Sequence, residues 1–242
     1  MQCMTRVLEI LKIMNINQLE QQLDPVKDNP VALLRKAHDI FGESLAVLSS
    51  FGAESALLLA MVAESRKDKQ KDICVLFLDT GKHFEETLVY KKRLIEVLGL
   101  TNIVDVIPEK QDIDHYDPTG ELWAFDADAC CRIRKVKPLQ HISLPYKVLV
   151  TGRKRSQAST RATMSIIEQR QDGVFRLNPL AFWTEEEIQK EMARRDLPPH
   201  PLVSQGYLSI GCEPCTRPVQ SGEEARCGRW SGLSKTECGI HL

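Results

Sequence analysis

The sequence predicts an α/β protein built on a mostly parallel sheet, followed by a mobile, flexible tail. Three observations carry that reading. Short apolar runs of strand length alternate with amphipathic stretches of helix length, as parallel strands joined by crossover helices require. The runs end in small, polar turns of the kind found at the carboxyl ends of parallel strands, where such sheets bind ligands. From Ser221 to Leu242 the chain becomes rich in Gly, Ser and charge and loses any periodic apolar face.

Residues 1–28 read as an N-terminal extension and helix. Met1–Met14 mixes apolar and charged residues (Arg6, Glu9, Lys12), unlike the continuous apolar core of a signal peptide, and Met14 is a second candidate start. Residues 29–220 read as the main domain. Asn29-Pro30 is an N-cap followed by a first-turn proline, and Val31, Leu34, Ala37 and Phe41 mark one face of a helix closed by Gly42. Leu45–Ser49 suits a buried strand, and Ala56–Glu64 the helix after it. Ile73–Leu78 is a second strand, Glu85–Leu98 an amphipathic helix stopped by Gly99, Ile103–Ile107 a third strand and Lys147–Val150 a fourth. Thr184-Glu185-Glu186-Glu187 is a capping box opening a helix to about Arg195. Residues 221–242 are the expected tail.

Composition excludes several classes. Lys+Arg is 32 against Asp+Glu 33, so no bulk positive field favours nucleic acid or an anionic membrane. The longest apolar runs, such as Leu57–Ala63, fall far short of a bilayer span. A cytoplasmic protein is expected. A homo-oligomer is compatible with the sequence but nothing in it demands one.

Eight cysteines are too many for chance packing, and their spacing is uneven. Cys130–Cys131 and Cys212-Glu213-Pro214-Cys215 form two tight pairs, whereas Cys3, Cys74, Cys227 and Cys238 stand alone. Paired thiols in a reducing compartment suggest metal binding. Adjacent side chains diverge, which suits the separate iron corners of a [4Fe–4S] cluster better than a single tetrahedral zinc, with a vicinal disulfide as a third arrangement. Basic residues surround these pairs: Arg132, Arg134, Lys135 and Lys137 after the first, Arg217 after the second. Arg153, Lys154, Arg155 and Arg161 follow the fourth strand, and Arg226 and Arg229 lie in the tail. In a chain near neutrality such clustering suits a polyanionic ligand gripped by arginine forks. The Ser49–Ser55 turn, with small residues before a helix, is suited to phosphate but lacks the Gly-Lys-Ser/Thr ending of a Walker A loop. Cys238 is an accessible terminal thiol that is either a stray cysteine or a nucleophile.

Together these motifs resemble those of the assimilatory adenylyl-sulfate (adenosine 5′-phosphosulfate, APS) reductases, in the family that includes the phosphoadenylyl-sulfate (PAPS) reductases. The resemblance runs from about Ser44 to the last residue. It rests on Ser-Phe-Gly-Ala-Glu at 50–54, Leu-Asp-Thr-Gly at 78–81, Cys-Cys-Arg-Ile-Arg-Lys at 130–135 and Thr-Gly-Arg at 151–153. Further along, it rests on Gly-Cys-Glu-Pro-Cys-Thr-Arg-Pro at 211–218, Gly-Arg-Trp at 228–230 and the terminal Glu-Cys-Gly-Ile-His-Leu. It implies a Rossmann-like sheet of the adenine-nucleotide α-hydrolase type. It implies APS over the strand ends, adenine near Leu78 and Gly152, and phosphosulfate over a loop of Ser49, Ser50, Gly52 and Glu54, with Thr80 also in contact. Lys135, Arg161, Arg226, Arg229 and His241 would surround the sulfate. Cys130, Cys131, Cys212 and Cys215 would ligate one [4Fe–4S] cluster, and Cys238 would attack sulfur, with Lys135 and His241 assisting. A thioredoxin- or glutaredoxin-like dithiol would be the reductant. The chain departs from the family pattern at Glu85, where proline is common, and at Cys227, where a small apolar residue is usual.

The competing readings are a PAPS reductase or dual APS/PAPS enzyme, a PP-loop ATP pyrophosphatase or thiolation enzyme, and a non-enzymatic metal-binding module. The two cysteine pairs argue against the PAPS branch. A loop with one glycine and Glu54 argues against the PP-loop class, and the terminal cysteine has no role in a binding module.

Overall fold

The computed structural model describes residues 15–67, 71–170 and 173–241; Cys3, the candidate start at Met14 and Leu242 lie outside them. Apolar alternation organises the sheet. The strands are β1 (Leu45–Ser49), β2 (Cys74–Leu78), β3 (Ile103–Val106), β4 (Val148–Val150), β5 (Ile167–Gln169) and β6 (Phe175–Leu177). Their order is β3-β2-β1-β4-β6-β5, with every pairing parallel except β5 against β6. The expected mostly parallel sheet is therefore present, with one antiparallel edge strand. Successive residues of a strand point to opposite faces, and both faces are apolar here. Val47, Val75, Phe77, Val148 and Val150 face one core, while Ala46, Leu48, Cys74, Leu76 and Leu149 face the other.

The helices that cover the first face follow the sequence signals. The first, α1 (Ile16–Leu23), carries Leu19 and Leu23 into the core, so this part of the N-terminal segment is integral to the domain. Helix α2 (Pro30–Phe41) begins where the Asn29 side chain accepts a hydrogen bond from Ala32 N. Helix α3 (Ser55–Glu64) buries seven residues, Ala56 through Val62. Helix α4 (Glu85–Leu98) ends at Gly99, whose φ of 57° is left-handed and favours glycine.

The stretch between β3 and β4, without an expected element, folds into helices α5 (Lys110–Tyr116), α6 (Leu122–Phe125), α7 (Ala127–Cys131) and α8 (Lys137–Ile142). A π turn, Arg132–Val136, joins the last two. Beyond β6 lies α9 (Glu185–Arg194), opened by the Thr184–Glu187 capping box. Residues 221–241, expected as a mobile tail without a core, are seated on the body. Trp230 is buried, Thr216 and Arg229 form an antiparallel bridge, and Ile240 packs against the second core. Among the described residues no helix is long and apolar enough to cross a membrane.

Candidate active site

The carboxyl ends of β1, β2 and β4 open into a cavity of about 1070 Å³. Its floor is the turn after β1. Phe51 adopts a left-handed φ of 48°, its amide donates to Ser49 Oγ at 3.2 Å, and its ring is buried edge-on to Phe77. A buried aromatic anchor thus holds a conformation that a non-glycine residue rarely adopts, and Ser49, Ser50, Gly52 and Glu54 line the cavity. Gly52 approaches the backbone of the 210 region closely: a Cβ there would lie 3.3 Å from the Ile210 carbonyl oxygen. Leu78 and Gly152 also line the space, one from β2 and one from the turn after β4.

Thr80 does not line it. It is buried instead, with Oγ1 3.2 Å from Cys212 Sγ, so it joins the β2 end to the second cysteine pair. The expectation set it against the ligand, whereas its hydroxyl here reaches the cysteine pair. The physical reason is the turn at Gly81 (φ 67°), where Asp79 Oδ1 accepts the Gly81 amide and Thr80 faces inward.

The two cysteine pairs are close enough for Cys130 to interact electrostatically with Cys131, Cys212 and Cys215. Cys130, Cys131 and Cys212 are buried and Cys215 half-buried. All seven described cysteines are free thiols, so no vicinal disulfide joins Cys130 to Cys131. Burial raises Cys130 to about 11, with the neighbouring Cys131, Cys212 and Cys215 adding to it. Burial likewise raises Cys131 and Cys215. At Cys212 burial is outweighed by Lys135, Thr80 and Arg229, and the thiol is pulled below its ordinary range. Arg134 ties the two halves: its Nε and Nη2 donate to Asp117 Oδ2 at 3.1 and 2.6 Å, and its Nη1 donates to the Thr80 carbonyl at 2.7 Å. Among the described residues no group of three or more His, Cys, Asp or Glu side chains forms a ready-made site for a single metal ion. The donor set, four mutually interacting thiols surrounded by cations, has the chemistry an iron–sulfur cluster needs.

Cys238 lines the cavity from the tail, together with Glu237 and His241, as do Lys135, Arg161, Arg226 and Arg229, and it interacts electrostatically with Lys135 and Arg226. Arg229 stacks on buried Trp230 at 4.5 Å, leaving no room for a Cβ at Gly211.

A profile for the phosphoadenosine phosphosulfate reductase domain matches residues 44–218. A protein named adenosine 5′-phosphosulfate reductase, from Mesorhizobium japonicum, is 51% identical over 208 residues, covering 86% of this chain and 80% of the relative. This chain belongs to the phosphoadenosine phosphosulfate reductase family. A second relative, from Gloeobacter violaceus and named phosphoadenosine 5′-phosphosulfate reductase, is 39% identical, covering 88% of both chains. The fold agrees with a crystal structure of the Candida auris phosphoadenylyl-sulfate reductase in a phosphate complex. There the TM-score is 0.66 at 24% identity, with 85% of this chain and 98% of the other covered.

His241 was expected to assist at the sulfate. Its burial, and then Arg153, Arg161 and Arg176 around it, push its pKa well below the ordinary value, so it is a neutral imidazole at pH 7. Positive charge beside Cys238 comes instead from Lys135. Burial opposes that ammonium, but Cys212, Cys238 and Cys131 outweigh the burial and raise its pKa.

Sequence reasoning missed several side chains that shape the cavity. His83 donates from Nε2 to the Leu78 carbonyl at 2.9 Å, leaving Nδ1 buried without a partner. Lys154, fully buried, pairs with Glu54, and Gln157 Nε2 donates to Glu54 Oε2 at 3.1 Å. Lys154 was legible only as one base of a cluster, and its pairing with Glu54 has no signature in a linear sequence.

Proposed function

We propose that this protein reduces adenosine 5′-phosphosulfate to sulfite and AMP, with Cys238 as the nucleophile. A single observation carries the reading: Cys238 lines the same cavity as the strand-end loops and as Lys135, Arg161, Arg226 and Arg229. A nucleoside fits against Leu78 and Gly152, and a phosphosulfate over the Ser49–Glu54 turn.

The Cys238 thiolate attacks the sulfate sulfur. An S–S bond forms, the S–O bond to phosphate breaks, and AMP leaves with that electron pair, giving S-sulfocysteine. One thiolate of a thioredoxin- or glutaredoxin-like dithiol then attacks Cys238 Sγ and releases sulfite. Its second thiol displaces Cys238, so the dithiol ends as a disulfide and its two electrons reside in sulfite. Lys135 and the arginines stabilise charge on the sulfate and on the departing phosphate, an effect of about 3 kcal/mol per donor. The Lys135 ammonium, whose charge interacts with Cys238, favours the thiolate form of the nucleophile.

Cys130, Cys131, Cys212 and Cys215 would hold one [4Fe–4S] cluster. It would supply charge held by Cys131 and Cys212, which interact with Lys135, and would tie the α7 helix to residues 212–215. The family pattern of paired cysteines and the 51% identity to an APS reductase support APS as substrate. The relative named for PAPS supports the second reading, a PAPS or dual enzyme.

Anaerobically purified protein should be brown, hold about four irons per chain and release sulfite from APS in the presence of reduced thioredoxin. PAPS run in parallel decides between the two nucleotides. Sulfite release from neither would overturn the reading, and colourless protein with stoichiometric zinc would remove the cluster from it.

A further inference from the structure

The residue before Cys238 is engaged in a way the proposed reaction does not use. Glu237 receives a two-pronged grip from Arg161, Nε to Oε1 and Nη2 to Oε2, both at 2.8 Å. Arg226 closes the other side, with Nη2 3.5 Å from Glu237 Oε2 and 2.7 Å from the Thr236 carbonyl. The pair is largely removed from water, the side chains being 9% exposed for Arg161 and 13% for Glu237. The third arm of the same guanidinium, Arg161 Nη1, donates to Gln157 Oε1 at 2.5 Å, and Gln157 reaches Glu54 of the β1 turn. Arg161 and Glu237 also line a second cavity of about 340 Å³ beside the main one, so the pair forms part of the wall between them.

An arginine fork matches one planar carboxylate or two oxygens of a tetrahedral oxyanion, and it cannot hold both at once. Arg161 and Arg226 are two of the cations assigned above to the substrate's anionic end. We propose that Glu237 is an internal stand-in for that anion: its carboxylate occupies the fork and holds the tail on the body until a sulfate or phosphate group replaces it. Binding of the sulfonucleotide then exchanges one anion for another on Arg161 and frees the segment that carries Cys238 to re-seat with its thiol against the sulfate sulfur. Glu237 is a positioning residue for the thiol rather than a participant in bond making. The proposal rests on the reading above only for the identity of the displacing group, a tetrahedral oxyanion.

The test uses the full-length protein, inorganic sulfate as the probe, and no turnover. Hydrogen-exchange mass spectrometry reads the tail amides of residues 221–241, and titration calorimetry reads sulfate affinity. In the wild type, sulfate should raise tail exchange in a saturable manner. Glu237→Gln should exchange at least tenfold faster without sulfate, respond no further to it, and bind sulfate at least tenfold more tightly. Glu224→Gln removes the same charge from the same tail, where no ion pair to Arg161 or Arg226 is made, and should behave as wild type. Unchanged exchange and unchanged sulfate affinity in Glu237→Gln would overturn the proposal. So would sulfate slowing tail exchange in the wild type. If these measurements come out as expected while APS yields no sulfite, the stand-in role holds and only the substrate assignment falls.

Discussion

Strand β1 buries all five of its residues and α3 seven of its ten, whereas among residues 221–241 only Gly228 and Trp230 are fully buried. The first region is held by apolar area removed from water, about 25 cal/mol per Å². The second is held by Arg161–Glu237, Arg226–Glu237, Lys235–Asp128 and cation stacking on Trp230. The contrast teaches where stability and chemistry reside. A hydrophobic sandwich sets the position of the strand-end turns, and a segment fastened by charge brings the thiol to them. Substitutions in the first should read out as loss of fold, and substitutions in the second as loss of activity in a folded protein.

The sharpest way to break that division is Cys238→Ser. Sulfite release should fall at least a thousandfold, about 4 kcal/mol in the barrier, because a serine hydroxyl is a far poorer nucleophile than a thiolate. The urea midpoint should not move. Wild-type protein incubated with APS and no dithiol should gain one SO₃ group, about 80 Da, mapped by peptide mass to Cys238. An adduct on Cys227 would transfer the role to the neighbouring exposed thiol.

Asp117→Ala tests whether a polar contact can act like core. Asp117 is 1% exposed and is the carboxylate for buried Arg134. Its loss strands a cation between α7 and the β2 end, and about 3–5 kcal/mol of stability should disappear in urea denaturation. A change under 1 kcal/mol would mean that Arg134 finds water or another partner.

A smaller effect comes from His200, buried between Thr87 Oγ1 and the Leu202 amide. Burial lowers its pKa to about 4. The folded protein therefore holds this imidazole neutral where the unfolded chain binds a proton. Its contribution is fully present above about pH 6.5 and is lost as pH falls from there toward 4, on the order of 3 kcal/mol in total. Stability measured in steps across that window should decline less steeply in His200→Gln.

The mildest perturbations sharpen the comparison from the charged side. Lys135→Ala and Arg229→Ala should each weaken APS binding or turnover about tenfold, about 1.4 kcal/mol, with iron content largely intact. Wild-type kinetics in both would return these bases to the solvated surface.

The parts of the fold legible in the sequence are those set by local signals. Leu45–Ser49 and Glu85–Leu98 have the expected bounds, because an unbroken apolar run and a glycine stop are local properties. Strands β5 and β6 went unseen because each is three residues long and is interrupted by polar residues (Glu168 and Gln169, Arg176), whereas the equally short β4 is an unbroken apolar run. The α5–α8 stretch went unseen because its helices are short and present mixed surfaces. In the site, the cysteine pairs and the bases were legible by type and spacing. The partners were not: Thr80–Cys212 spans 132 positions, Lys154–Glu54 spans 100 and Arg161–Glu237 spans 76. The lowered pKa of His241 follows from its burial and then from the arginines gathered around it in space, which no local pattern encodes.

The turn after β1 enters and leaves through fully packed elements, with Phe51 pinning its middle. An anion received there finds amides whose directions are already set, so the chain surrenders little configurational entropy when it binds. Ligand contacts at this turn should therefore carry a small entropic penalty. Calorimetry of a nucleotide that reaches only the turn, AMP for instance, should show a small unfavourable entropy.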